Sequence, residues 1–63
     1  MKTGTRVRYV GPPLLYSLDL SVTEGDYGMV ISVEPIRPLP IAVLWDDGFA
    51  SYHSVTDLEE VTS

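Results

Sequence analysis

Few side chains in this sequence could do chemistry, and their spacing does not assemble a reactive site. Asp46 and Asp47 are adjacent. Because neighbouring residues of a strand point to opposite faces, their carboxylates do not converge on a metal or a substrate. His53 is the only histidine and there is no cysteine, so His53 lacks the partners that zinc or nucleophilic chemistry requires, and we expect it on the surface. The sequence predicts no catalytic residue, no metal and no cofactor, and therefore not an enzyme.

The length and charge of the chain limit the remaining classes of function. Sixty-three residues allow one small core, so we expect a single domain over residues 1–63. Four cationic residues against nine carboxylates give a net charge of −5, which disfavours binding to nucleic acid or to an anionic membrane. No apolar run is long enough to cross a bilayer, and the absence of cysteine suits a reducing compartment. We therefore expect a cytoplasmic protein.

Short runs of β-branched and aromatic residues between Gly, Pro and Asp predict an all-β fold. Asp47 and Gly48 predict a tight hairpin turn of type I′. Ser54 followed by Asp57 resembles a capping box and predicts one short 3-10 turn before the last strand. That last strand should pair with the first, placing the acidic C-terminal residues opposite the early arginines. The predicted strands cover residues 5–10, 29–34, 41–45, 49–53 and 58–61.

Two connections are unusually apolar. Residues 14–25 contain four leucines and no turn signal that would close a hairpin, so we expect one long ordered loop, of a length that is often functional. Its leucines are predicted either to fold back as a flap that completes the core or to form a homo-oligomer surface, and the sequence leaves both readings open. Residues 35–40 contain three prolines, which predict an exposed, extended connector.

Three stretches resemble the SH3-like small β-barrels: GTRVR at residues 4–8, EGDYGMV at 24–30, and VLWDDG at 43–48 with Tyr52 and Asp57-Leu58 behind it. The last of these is similar to Tudor domains and Mind-bomb repeats, and to small SH3-like proteins of bacteria and phages. The resemblance implies a five-stranded SH3-like barrel with a long first loop. Barrels of this type serve many functions, so the function has to be argued from a site.

Aromatic side chains are the best candidates for such a site, because aromatic grooves bind proline-rich peptides or alkylated cations. Tudor-like barrels would imply a methyl-ligand cage. Such a cage usually has Tyr or Phe plus Asn near the turn, where this sequence has Asp47-Gly48-Phe49, and we place Trp45 in the core. We expect a non-catalytic accessory or regulatory module that binds a protein. The alternatives are a nucleic-acid-associated barrel and a stabilising subunit of a redox complex. The predicted partner-binding residues are Tyr16, Leu18, Tyr27, Ile36, Arg37, Phe49 and Tyr52.

Overall fold

The computed structural model describes residues 1–62, and within them the chain is almost entirely β-structure. A five-stranded antiparallel sheet has the order β6-β5-β4-β1-β7, and a separate two-stranded hairpin is formed by β2 and β3. One 3-10 turn, Val55–Asp57, precedes the last strand. The strands are β1 Arg6–Tyr9, β2 Leu14–Leu15, β3 Ser21–Val22, β4 Tyr27–Val33, β5 Ile41–Trp45, β6 Ala50–His53 and β7 Leu58–Glu60.

The all-β class and the pairing of the first strand with the last are confirmed. Arg8 lies directly opposite Glu59, and their charged groups approach to 3.8 Å, as the charge distribution predicted. The prediction that the sheet closes into a barrel is wrong, because β6 and β7 lie at opposite ends of the strand order among the described residues. The sheet is therefore open, with two edges.

The core lies on one face of this sheet, which we call the inner face. Alternate residues of each strand point into it, and Val7, Tyr9, Val30, Val43 and Trp45 are all buried there. Gly28 makes the packing possible, because a Cβ at that position would stand 2.8 Å from the carbonyl oxygen of Leu44 and 2.9 Å from the Trp45 ring. Strands β4 and β5 therefore approach closely at this glycine.

The segment predicted as one long loop contains the β2–β3 hairpin, which corrects the prediction. The amide of Tyr16 donates to the carbonyl of Leu20 at 2.8 Å, and the amide of Asp19 donates to the hydroxyl of Ser17. These bonds close the hairpin without the glycine that a sequence-based turn signal requires. Val22 is buried in the core and Leu14 packs against it.

The β5–β6 turn is tight but not of type I′. Such a turn needs two residues with positive φ, and here only Gly48 has one, at +94°. The amide of Gly48 donates to the carbonyl of Trp45 at 2.9 Å, and the amide of Trp45 donates to the carbonyl of Phe49 at 2.8 Å. This is the pattern of a three-residue hairpin loop with a glycine bulge. The carboxylate of Asp47 accepts from the amide of Phe49, which explains its position.

The 3-10 turn before β7 is confirmed, but its predicted capping box is wrong. Ser54 makes no side-chain hydrogen bond to the backbone of the turn. Its hydroxyl lies 2.8 Å from that of Thr56 and 3.5 Å from the carboxylate of Asp57. Within residues 1–62 there is no helix with the length and apolar character needed to cross a membrane.

Candidate docking surfaces

The side of the sheet opposite the core, which we call the outer face, exposes large apolar side chains on three neighbouring strands. Met29 on β4 is paired with Leu44 on β5, and Leu44 is paired with Ala50 on β6. In the next row Ala42 is paired with Tyr52, and Ile31 stands at a bulge in β4. Met29, Ile31, Leu44 and Tyr52 are each 40–46% exposed, so they form one continuous apolar surface.

The apolar runs of β4 and β5 are the sequence signal for this surface. A strand with one face in water normally alternates apolar and polar residues, whereas an unbroken apolar run indicates a strand that is covered on both faces. Residues 29–31 and 41–45 are unbroken runs. Sequence reasoning placed these runs in strands but missed Met29, Ile31 and Leu44 as surface candidates, because a strand's neighbours have to be known before its second face can be assigned.

Charge on the outer face is concentrated on the side of β1 and β7. Arg6 lies opposite Met29, and its guanidinium donates to both carboxylate oxygens of Asp46 at 2.7 Å. This pairing lowers the pKa of Asp46 and raises that of Arg6. Arg8 lies between Glu59 and Tyr27. The outer face therefore passes from charged at β7 to apolar at β6.

A shallow pocket borders the apolar end of the outer face, with a volume of about 240 Å³. It is lined by Arg37, Pro38, Leu39 and Tyr52. The guanidinium of Arg37 lies 4.3 Å above the centre of the Tyr52 ring and donates to Glu34 at 2.9 Å. A stacked, hydrogen-bonded arginine keeps its planar group in one orientation, so this pocket has a defined aromatic and cationic wall.

A second apolar surface lies on the β2–β3 hairpin. The Tyr16 and Phe49 rings pack edge to face with their centres 4.9 Å apart, which ties the hairpin to the β5–β6 turn. Leu15 is 77% exposed and Leu18 fully exposed. Of the two readings left open for the leucines, the flap that completes the core therefore applies to Leu14 alone.

The seven predicted partner-binding residues do not form one patch. Arg37 stacks on Tyr52 and Tyr16 packs on Phe49. Tyr27 lies 5.6 Å from the Arg6 guanidinium. Leu18 and Ile36 are 100% and 97% exposed. The structure thus brings four of these residues together as two separate pairs.

The aromatic side chains do not converge on a single cage. Trp45 is in the core, as expected, and packs at right angles to the ring of Tyr9. A cleft of about 180 Å³ is lined by Tyr27, Trp45, Asp26, Asp46 and Asp47. Asp46 is already bound to Arg6. Among residues 1–62, no three His, Cys, Asp or Glu side chains are grouped closely enough to hold a metal ion.

His53 is buried rather than on the surface, so its predicted placement is wrong. It is 1% exposed, and its ring packs against those of Tyr9 and Trp45, each 5.3 Å away. The indole N–H of Trp45 donates to the Ser51 hydroxyl at 2.8 Å, and that hydroxyl lies 2.6 Å from Nε2 of His53. An indole nitrogen can only donate, so the Ser51 hydroxyl accepts from Trp45 and joins the indole to the imidazole.

Burial sets the protonation state of this histidine. It lowers the pKa of His53 below 6.5, against a smaller opposing effect of the Asp57 carboxylate. Removal from water disfavours a charged imidazolium. The Trp45-Ser51-His53 chain therefore acts as a satisfied polar network that holds β6 against β5, and its groups are not exposed to a substrate.

The chain matches no protein-family model, no curated protein and no solved structure. The geometry of the exposed surfaces is therefore the basis for inferring a function.

Proposed function

We propose that this protein is a non-catalytic, protein-binding module with an SH3-like arrangement of strands, and that it docks on a larger protein through the outer face. The observation that carries the proposal is the contiguous apolar surface of Met29, Ile31, Leu44 and Tyr52. Large apolar side chains gathered on neighbouring strands and bordered by charge are typical of interaction sites.

The charges that border this surface indicate the kind of partner. Arg6 and Asp46 lie on one side and Arg37 and Glu34 on the other, each pair in direct contact. Interfaces commonly combine an apolar centre with a polar rim. The net charge of −5 favours a partner whose apolar patch is surrounded by basic residues, because complementary potentials accelerate association.

The nucleic-acid alternative is weakened by the pairing of the arginines. Arg6, Arg8 and Arg37 each have a carboxylate partner within 4 Å. A protein that neutralises phosphates needs cations that are free to replace counterions, and these three are already engaged. We therefore retain protein binding as the function.

The test compares baits in an extract of the cells that produce the protein. Met29→Lys and Leu44→Lys place a charge at the centre of the outer face, and Leu15→Lys places the same charge on the hairpin. We expect one protein to be captured by wild type and by Leu15→Lys and lost with both face variants. That protein, once purified, should bind wild type directly and bind Leu44→Lys at least about tenfold more weakly, a loss of about 1.4 kcal/mol.

Two results would contradict the proposal. The first is a partner that is retained by Met29→Lys and Leu44→Lys but lost with Leu15→Lys, which would move the site to the hairpin. The second is the absence of any direct protein ligand, together with binding to RNA or DNA that weakens steeply with salt. Circular dichroism of each variant shows whether the bait is folded.

A further inference from the structure

Strand β6 is an open edge of the sheet with unpaired backbone groups. The amide of Trp45 donates to the carbonyl of Phe49, and pairing continues from there as Val43 with Ser51 and Ile41 with His53. Hydrogen-bonded and non-bonded pairs alternate in an antiparallel ladder. Ala50 and Tyr52 are therefore the non-bonded positions, and their N–H and C=O groups point away from β5, where the described residues supply no other strand.

The two edges of the sheet differ in how they are protected from pairing. Edge strands are commonly guarded by charged side chains, prolines, bulges or an inward-pointing charge. β7 carries Glu59 and Glu60, and Glu60 lies opposite the buried Val7, so its carboxylate is on the inner side. β6 has the sequence ASYH, with no charged side chain on its exposed face and no proline. β6 is therefore the edge open to another strand.

We propose that two copies of this chain associate through antiparallel pairing of their β6 strands, with the two-fold axis at Ser51. This register pairs Ala50 of each copy with Tyr52 of the other, and the outward N–H and C=O groups of both residues then form four hydrogen bonds. The pairing is isologous, so it closes as a dimer. Pairing β6 with the acidic β7 edge would instead continue without closing.

Side-chain size and polarity agree with this register. Ala50 and Tyr52 both lie on the outer face, so the small residue of one copy leaves room for the ring of the other, twice across the axis. Ser51 meets its own equivalent on the inner face, and its hydroxyl already has Trp45 and His53 as partners. No carboxylate lies within the paired residues 50–52. The outer faces of the two copies become one surface, so the dimer presents two docking sites side by side.

The dimer should be weak. A strand of four residues is about 13 Å long, and pairing it buries less than the ~1,200 Å² that separates transient from stable interfaces. We expect a dissociation constant of about 0.1–1 mM. The inference concerns self-association and does not depend on the proposed docking function, since a monomer with an active outer face is physically possible.

Sedimentation equilibrium and amide NMR of the full chain, from about 10 µM to about 2 mM, test the proposal. The average mass should rise from 7.0 kDa toward twice that value. Concentration-dependent shifts and protection from exchange should centre on the amides of Ala50 and Tyr52. Ala50→Pro removes an outward donor without touching a bond to β5, and it should keep the protein monomeric over the whole range.

Ala50→Lys provides a second variant that retains the backbone donor, and Glu60→Gln is its charge-matched control. Each changes the net charge from −5 to about −4. Ala50→Lys should abolish association, because the two lysines would be diagonal neighbours across the axis. Glu60→Gln should associate at least as well as wild type. A wild-type chain that stays monomeric at 2 mM, or an Ala50→Lys protein that associates like wild type, would overturn the proposal.

Discussion

Replacing Ser51 with alanine removes the hydroxyl that joins two buried rings. Trp45 is 3% exposed and His53 1%, so the indole N–H and the imidazole Nε2 would both lose their partner in a dry environment. An unsatisfied buried polar group costs about 1–3 kcal/mol. Taking the lower figure for each of the two groups gives an expected loss of at least about 2 kcal/mol in the free energy of unfolding.

That loss is large for a chain of this size. Stabilities of roughly 0.05–0.15 kcal/mol per residue correspond to about 3–9 kcal/mol for 63 residues. A loss of about 2 kcal/mol lowers the melting temperature by about 8–16 °C in a domain this small. The effect should appear as a lower urea midpoint with an unchanged slope, because the surface exposed on unfolding is the same.

Urea unfolding followed by far-ultraviolet circular dichroism measures this loss without depending on the fluorescence of Trp45. Ser21→Ala, on the exposed side of β3, is the matched control and should lie within about 0.5 kcal/mol of wild type. A double-mutant cycle of Ser51→Ala with Trp45→Phe should give a coupling energy of at least about 0.5 kcal/mol. A Ser51→Ala protein as stable as Ser21→Ala would show that the hydroxyl does not bridge the two rings.

Three further outcomes follow from the same packing. Stability should fall as the pH is lowered through 6.5, because His53 takes up a proton in the unfolded chain but not in the folded one, where burial lowers its pKa. Denaturant titrations between pH 8 and 5 measure this effect. An unchanged midpoint would contradict the burial of His53. Gly28→Ala should lower the free energy of unfolding by about 1–3 kcal/mol or more, since the added Cβ meets a backbone carbonyl and a core ring. Gly48→Ala, which meets no atom within 4 Å but has a positive φ, should cost about 1 kcal/mol through strain, so thermal melts that rank Gly48→Ala below Gly28→Ala would refute the steric account.

Local sequence patterns predicted the elements that depend on neighbouring residues. The bounds of β5 agree with the apolar run at Ile41–Trp45, and the turn at Gly48 and the 3-10 turn lie at the expected positions. The β2–β3 hairpin was missed because its turn is closed by the Ser17 hydroxyl and by backbone bonds, which have no residue signature. The type I′ turn predicted between β5 and β6 was wrong for a related reason. Asp47 accepts a hydrogen bond from the amide of Phe49 and does not adopt a positive φ.

The candidate site was less accessible to sequence reasoning. Tyr52 and Arg37 were predicted individually, and they stack on each other. Met29 and Leu44 were missed, although the register places them side by side. His53 was placed in water because a lone histidine has no sequence feature that reports its burial, whereas its partners, Trp45 on the adjoining strand and Ser51 on the same strand, account for it.

The sequence alone determines that this chain is acidic and β-rich, because charge is a sum over residues and strand tendency is set by short-range sterics. It also determines which residues of each strand point to the same face, because successive side chains alternate between the two faces. Only the tertiary structure decides which strands are neighbours, that the sheet stays open at β6, and that one of its faces remains apolar and exposed. The reason is physical: burial of a side chain depends on groups distant in the chain, and no local pattern specifies what will cover the second face of a strand.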